Sequence, residues 1–225
     1  MKKYLLLILL LSACQSINYQ DVNPNINPNQ NKLPAMEPMI DMYNLEAVYT
    51  GGGYAGTANN FGVGYANRGW GNWVQTTAVS GTQYKDARVN DVINIFNKEV
   101  KENITDPYGE KKGYISLKLG YRGEDKQPIL ALLSIFSLGT INLLGFPADI
   151  REQSLEVEVE IWNNKKEIIK RYTANVLDSE YVAAYYGYND STIYRKLAAD
   201  NIKHALEQIR KQINDDAEDI KKNLK

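Results

Sequence analysis

The sequence predicts an α+β fold: a mostly antiparallel sheet with two helices packed on one face, a two-layer sandwich. Three observations predict it. Leu155, Val157, Val159 and Ile161 alternate with Glu156, Glu158 and Glu160, the pattern of a strand with one face in a core and one in water. Val89, Val92, Ile93, Phe96 and Val100 recur at the spacing of one helix face. Ala198, Ile202, Ala205, Leu206, Ile209, Ile213, Ala217, Ile220 and Leu224 do the same near the C-terminus.

The composition agrees. Of 225 residues, 44% are hydrophobic and 24% charged, enough to build a packed core and too ordered a mixture for wholesale disorder. Lys plus Arg number 26 against 27 Asp plus Glu, so there is no electrostatic footprint for nucleic acid. One Cys and one His exclude a disulfide framework and a Cys/His metal cage, and no cofactor motif is present. The 16 Tyr and 16 Gly against only 4 Phe are the one unusual feature.

From the N-terminus, residues 1–13 read as a secretory signal. Lys2 and Lys3 precede the uncharged run Leu5 to Leu11, which is too short for a mature transmembrane helix. Leu11-Ser12-Ala13-Cys14 resembles the lipobox of bacterial lipoproteins. The resemblance implies cleavage before Cys14, which would then carry a diacylglyceryl thioether and usually an acylated amine. Several acyl chains make anchoring stable, since each buried CH₂ contributes about 0.8 kcal/mol. Loss of Lys2 and Lys3 would move the formal charge from −1 to −3, and the only thiol would be consumed. Gln15 stands where an Asp would signal inner-membrane retention, which favours an outer membrane facing the periplasm, with the cell surface or the outer face of the plasma membrane as the other addresses.

Residues 14–41 read as a tether. They are rich in Asn, Pro and Gln and hold four of the seven prolines, at positions 24, 28, 34 and 38. A single domain is expected over 42–225. Leu45 to Thr50 alternates like a strand. Residues 51–81 hold nine of the 16 glycines and read as a long loop or weak strands with glycine bends. Gly51, Gly53 and Gly56 spell G-x-G-x-x-G, but more glycine follows where a phosphate-binding helix would have to open.

The helix through Val89 to Val100 has Arg88, Asn90, Asp91, Asn94 and Lys98 on its other face and stops before Pro107. Gly113 to Arg122 is a strand. Residues 129–146, between Pro128 and Pro147, are eighteen consecutive uncharged residues. Their plainest reading is a pair of buried strands or a core helix. An exposed apolar loop that dips into an acyl layer or docks a partner is the second reading, and a spanning helix the third. The 155–161 strand turns at Asn163-Asn164, and Lys165 to Val176 returns beside it, with Lys166, Lys170 and Arg171 able to meet the glutamates. The last helix starts near Ser191, capped by Ser191 or Asp190, and its final dozen polar residues are expected to project or fray. This element order resembles the small α/β domains of some periplasmic lipoproteins, such as penicillin-binding-protein activators and the amino-terminal domain of the Tol-Pal translocation protein, in order alone.

For function, the sequence points away from enzymes. It has no G-x-S-x-G, H-E-x-x-H or Walker loop. His204 sits beside Lys203, with Asp200 and Glu207 within a turn, as on an ordinary solvated helix face. The expectation is a non-enzymatic envelope lipoprotein, anchored in the membrane through Cys14, that binds an envelope protein as accessory or scaffold. The alternative is a module binding lipid or a glycan such as peptidoglycan. The candidate contact residues are Tyr54, Tyr65, Trp70 and Trp73, whose aromatic faces suit sugar rings, and Leu133, Phe136, Leu143 and Phe146 of the uncharged run. Tyr181, Tyr185, Tyr186 and Tyr188 form a further cluster suited to an interface or a half-buried edge strand.

Overall fold

The computed structural model describes residues 31–50, 73–76, 84, 86–127, 129–143, 146–183 and 192–224. They form one five-stranded sheet in the order β2-β1-β3-β4-β5. The strands are β1 (Glu37–Asp41), β2 (Trp73–Gln75), β3 (Gly113–Gln127), β4 (Asp149–Asn163) and β5 (Ile168–Val182). Every pairing is antiparallel except β1 with β3. The helices are α1 (Met42–Thr50), α2 (Ala87–Glu99, continued by one π turn over Val100–Ile104), α3 (Ile129–Phe136), α4 (Thr140–Leu143), α5 (Ile193–Asp215) and α6 (Ala217–Asn223). The architecture is α+β, as the sequence predicts.

β4 carries the predicted alternation: Leu155, Val157, Val159 and Ile161 are buried under the helices. Ile115, Leu117 and Leu119 of β3 and Tyr172, Ala174 and Val176 of β5 join them. α2 and α5 supply the other side of this core with Val89, Val92, Ile93, Phe96, Ile202, Leu206 and Ile209. Asp86 caps α2 by accepting from Arg88 N at 2.9 Å, the usual way a short carboxylate satisfies a helix's first donors. The turn at Asn163 is built by its side chain, whose Oδ1 accepts from Lys165 N and Glu167 N at 2.9 and 3.0 Å.

Five expectations are corrected. The fold begins earlier than residue 42, because Leu33 bridges to Thr105 and β1 lies between β2 and β3. Pro38 is tolerated inside the sheet because β2 pairs only with Met39, Ile40 and Asp41, leaving Pro38 beyond its end. Residues 45–50 are helical, not a strand. Met42, Leu45 and Tyr49 are buried at helical spacing, and Asn44 N bonds Asp41 Oδ1 at 3.0 Å to start the turn. Asp91 does not face solvent but is buried against Arg195 in a bidentate pair at 2.6 and 2.8 Å. The end of the chain packs instead of projecting: α6 folds back, and Ala217, Ile220 and Leu224 are buried. Lys170 does not meet the glutamates. It points to the helix side, 3.5 and 3.2 Å from Asp216 and Asp219, and Arg171 alone turns to Glu160 and Glu158. Successive residues of a strand face opposite ways, so only one of these two neighbours can reach the acidic face.

The helix expected from near Ser191 starts at Ile193 as α5, with Thr192 at the N-cap position and no side-chain cap bond. Ser191 and Asp190 lie outside the described residues.

Candidate functional site

The uncharged run settles into a place its composition does not announce. It is the connection at one end of the long β3–β4 hairpin, where Gln127 pairs with Ile150 and Lys126 with Arg151. ILALLSIF winds into α3, helped by Ala131 and three leucines and by the absence of glycine and proline. The helix stops where Leu138 and Gly139 take φ of +51° and +77°. There Gly139 N bonds back to Ser134 O at 2.7 Å and Leu138 N to Ile135 O at 3.0 Å. α4 follows as a single turn, and Ala148 N bonds Val182 O of β5 at 2.8 Å, closing the loop onto the sheet.

The expectation of burial is overturned here. Leu132 is 55% exposed, Ile135 68%, Phe136 84% and Leu138 90%, and Phe146 is 38% exposed. Leu132, Ile135 and Phe136 share one face of α3 by their spacing. A run without periodic polar residues looks the same in a core and on a surface, which is why the sequence misplaces it. The spanning reading also falls, since no helix of the described residues is long and apolar enough to cross a membrane.

Each of the run's four polar side chains donates a hydrogen bond within it. Ser134 Oγ donates to Leu130 O at 3.0 Å, Ser137 Oγ to Ser134 O at 3.1 Å and Thr140 Oγ1 to Ser137 O at 2.7 Å. Asn142 Nδ2 donates to Phe146 O at 3.1 Å. The side chains of Leu133 and Leu143 are outside the described residues. Of the predicted contacts in this run, Phe136 and Phe146 are exposed. Leu132, Ile135 and Leu138 are exposed beside them, and the three-residue spacing of the first two is the only mark of that face in the sequence.

The nearest charges flank the run. Asp149 opens β4 and sits 3.2 Å from Arg151, whose guanidinium lies 6.0 Å from the Tyr194 ring. Tyr181, opposite Ile150 on β5, is 53% exposed at the same level. Tyr185, Tyr186 and Tyr188 lie outside the described residues, as do Cys14, Tyr54, Tyr65 and Trp70.

Trp73 is the one predicted sugar-stacking residue that is described, and it is placed far from the uncharged run. It stands on β2, partly buried, edge-on to Trp162 of β4 with ring centroids 6.4 Å apart at 67°. Trp162 Nε1 donates to Ser116 Oγ at 3.1 Å. The two indoles therefore lie on the face of the sheet opposite α2 and α5, whose row Met39–Ser116–Glu160 is buried. Glu37 of that face is buried too and pairs with Lys111.

Charged groups elsewhere hold the helices in place. Glu99 of α2 and Arg210 of α5 form a buried pair at 2.8 Å, and Asn103 Nδ2 donates to the same carboxylate at 2.5 Å. Burial pushes the Glu99 carboxyl above its ordinary value, against the pull of Asn103 and Arg210. Burial works against the charge on Lys196, but hydrogen bonds to Asp200 and Glu180 overcome it and hold the ammonium above its usual range. Burial likewise raises the Tyr172 hydroxyl, reinforced by its 2.9 Å bond to Asp216. His204 faces solvent with Nδ1 2.9 Å from Asp178. Among the described residues, no three His, Cys, Asp or Glu side chains are grouped so as to hold a metal ion.

Comparison of the sequence with protein-family models and with curated proteins finds no match.

Proposed function

We propose that this chain is a non-enzymatic lipoprotein of the bacterial cell envelope, held in a membrane through Cys14 and engaging another envelope component through residues 129–146. The observation that carries the proposal is the exposure of Leu132, Ile135, Phe136 and Leu138 on one uncharged connection. Contiguous apolar surface of this kind marks contact sites, because leaving it in water costs roughly 25 cal/mol per Å². The lipobox-like Leu11-Ser12-Ala13-Cys14 supports the address. An anchor also raises the local concentration of the domain at the membrane, so its own affinity for the component can be modest.

The test of the anchor is metabolic labelling in cells with a palmitate analogue. The wild-type chain is expected to incorporate label and to mature to the mass of a chain beginning at Cys14. Cys14→Ser is expected to abolish both. A wild-type chain that takes up no label would overturn the anchored reading.

A further inference from the structure

We infer that residues 129–146 insert into the acyl layer of a lipid bilayer, as a second membrane attachment at the end of the domain opposite the tether. The inference deepens the reading above by naming the component that this connection meets. The insertion itself does not depend on Cys14.

Three observations favour lipid over a protein surface. The first is internal satisfaction. Ser134, Ser137, Thr140 and Asn142 each donate to a carbonyl within the run. The three hydroxyls bonded this way carry no unpaired donor into hydrocarbon, and Asn142 commits one of its two amide hydrogens, which lowers the cost that a bilayer imposes on polar groups entering it. A surface meant for a protein groove has the opposite need, since it profits from donors and acceptors that reach outward.

The second is the kind of side chain exposed. The outward residues are Leu, Ile and Phe, with no Trp, Tyr or Arg among residues 129–146. Protein interfaces draw most of their binding energy from those three absent types, whereas acyl chains reward plain hydrocarbon.

The third is the order of groups along the hairpin. Charge is absent from 129 to 146 and resumes at Lys126 and Asp149 on either side. Tyr181 is exposed beside Ile150 at that same level. An amphipathic ring at the boundary between apolar and charged zones is the arrangement found at the headgroup level of membrane proteins. α3, at about 12 Å long, suits shallow insertion and not a crossing.

Topology then fixes where this attachment sits. The described chain enters near Leu33, bridged to Thr105, and β1 pairs with the start of β3 at Tyr114. The uncharged run leaves from the other end of β3, after Gln127. The two ends are separated by about 45–50 Å at the rise of a β-strand. The chain between Cys14 and Leu33 spans at most about 65 Å when fully extended. A tether of that length lets a domain anchored at Cys14 lie along the same bilayer with its far end dipping in.

The experiment uses the mature chain from residue 14 with Cys14→Ser, which carries all the described elements and no lipid. It is mixed with vesicles of phosphatidylethanolamine and phosphatidylglycerol and floated on a density gradient at 0.1 and 0.5 M NaCl. The chain is expected to float at both salt concentrations. The double variant Ile135→Asp/Phe136→Asp is expected to lose at least ~100-fold in partitioning and to keep the thermal midpoint of its parent, because both side chains already face solvent. In the same Cys14→Ser background, Leu138→Cys gives a single thiol for an environment-sensitive fluorophore. Its emission is expected to shift to the blue on vesicle binding and to be quenched by bromine on the acyl chains.

Three results would overturn the inference: a chain that stays at the bottom of the gradient, flotation that the double variant leaves unchanged, or a fluorophore insensitive to brominated lipid. Association into dimers that the double variant abolishes, with no flotation, would assign the surface to a second copy and overturn it equally. Each of these outcomes leaves palmitate labelling at Cys14 untouched, so failure here is distinct from failure of the anchor.

Discussion

Arg210→Met is expected to lower the unfolding free energy by about 3–5 kcal/mol, because it strands a buried carboxylate. Arg210 reaches Glu99 at 2.8 Å between α5 and α2, and both residues are buried. With the guanidinium gone, Glu99 keeps only its bond from Asn103. Urea denaturation of the purified chain measures the loss. The companion experiment removes both charges: Glu99→Met/Arg210→Met is expected to recover most of it, since two apolar side chains in that space carry no desolvation cost. A single variant within about 1 kcal/mol of wild type would mean that water reaches the pair. Arg195, which grips Asp91 between the same helices, is more exposed, so its replacement is expected to cost less.

The same carboxylate gives the stability a pH signature with a definite sign. Burial raises Glu99 above its ordinary 4.5, so the folded chain holds this proton more tightly than the unfolded chain. Its contribution is then fully present below about 4.5 and is lost as pH rises through the folded value. Against a Glu99→Gln reference, which does not titrate, wild-type stability is expected to decline as pH climbs above that point. Wild-type stability that instead rises relative to Glu99→Gln as pH climbs would reverse the assignment.

How far the sequence foretold this molecule depends on whether the deciding interaction was local. β4 was legible because its alternation is written in consecutive residues, and α2 and α5 because a buried face repeats every three or four. β1 was not, since Met39 is placed by Ser116, far along the chain, and the surrounding prolines argue for a coil. α1 was misread because Leu45 and Tyr49 fit a period of two as well as a helical turn. The choice is made by Asn44, whose side chain bonds both the carbonyl and the amide of Leu119, at 2.7 and 2.8 Å. α6 had a readable stripe in Ala217, Ile220 and Leu224, yet its polarity suggested fraying. What holds it down is Asp216 and Asp219 meeting Tyr172 and Lys170 across the sheet.

The candidate site divides the same way. That residues 129–146 are one uncharged unit is visible in the letters, but which side of them meets solvent is not. Burial of such a run depends on whether another element lies over it, and here the helices are spent elsewhere: α5 covers β4 and β5, and α2 packs on α5. Two helices suffice for the body of the sheet, and the connection between its longest strands is left outside.

Gly113→Ala is expected to cost about 3 kcal/mol, at the upper end for an overpacked site, while Gly120→Ala, seven residues along the same strand, costs under about 1 kcal/mol. A Cβ on Gly113 would stand 2.1 Å from the carbonyl oxygen of Trp162, with Leu224 Cδ2 at 3.1 Å and Met36 Cε at 3.2 Å. The carbonyl belongs to the neighbouring strand, one residue from the Asn163 that pairs with Gly113, so it cannot withdraw without opening the ladder. The atoms nearest a Cβ on Gly120 belong to the Glu156 side chain, at 2.9 to 3.0 Å, a flexible group that can swing aside. Denaturant midpoints of the two variants test the contrast, and equal losses would show that the close approach at Gly113 is absent. The position adds a second, regional expectation. Gly113 is where the first strand, the end of α6 and the turn of the β4–β5 hairpin converge, at the end of the domain opposite the uncharged run. Faster amide exchange is therefore expected in residues 33–41 and around Leu224, with Ile129–Phe136 unaltered. Exchange that instead rose first in α3 would mean that the two ends of the hairpin open together, and that the exposed connection borrows its shape from the far end of the sheet.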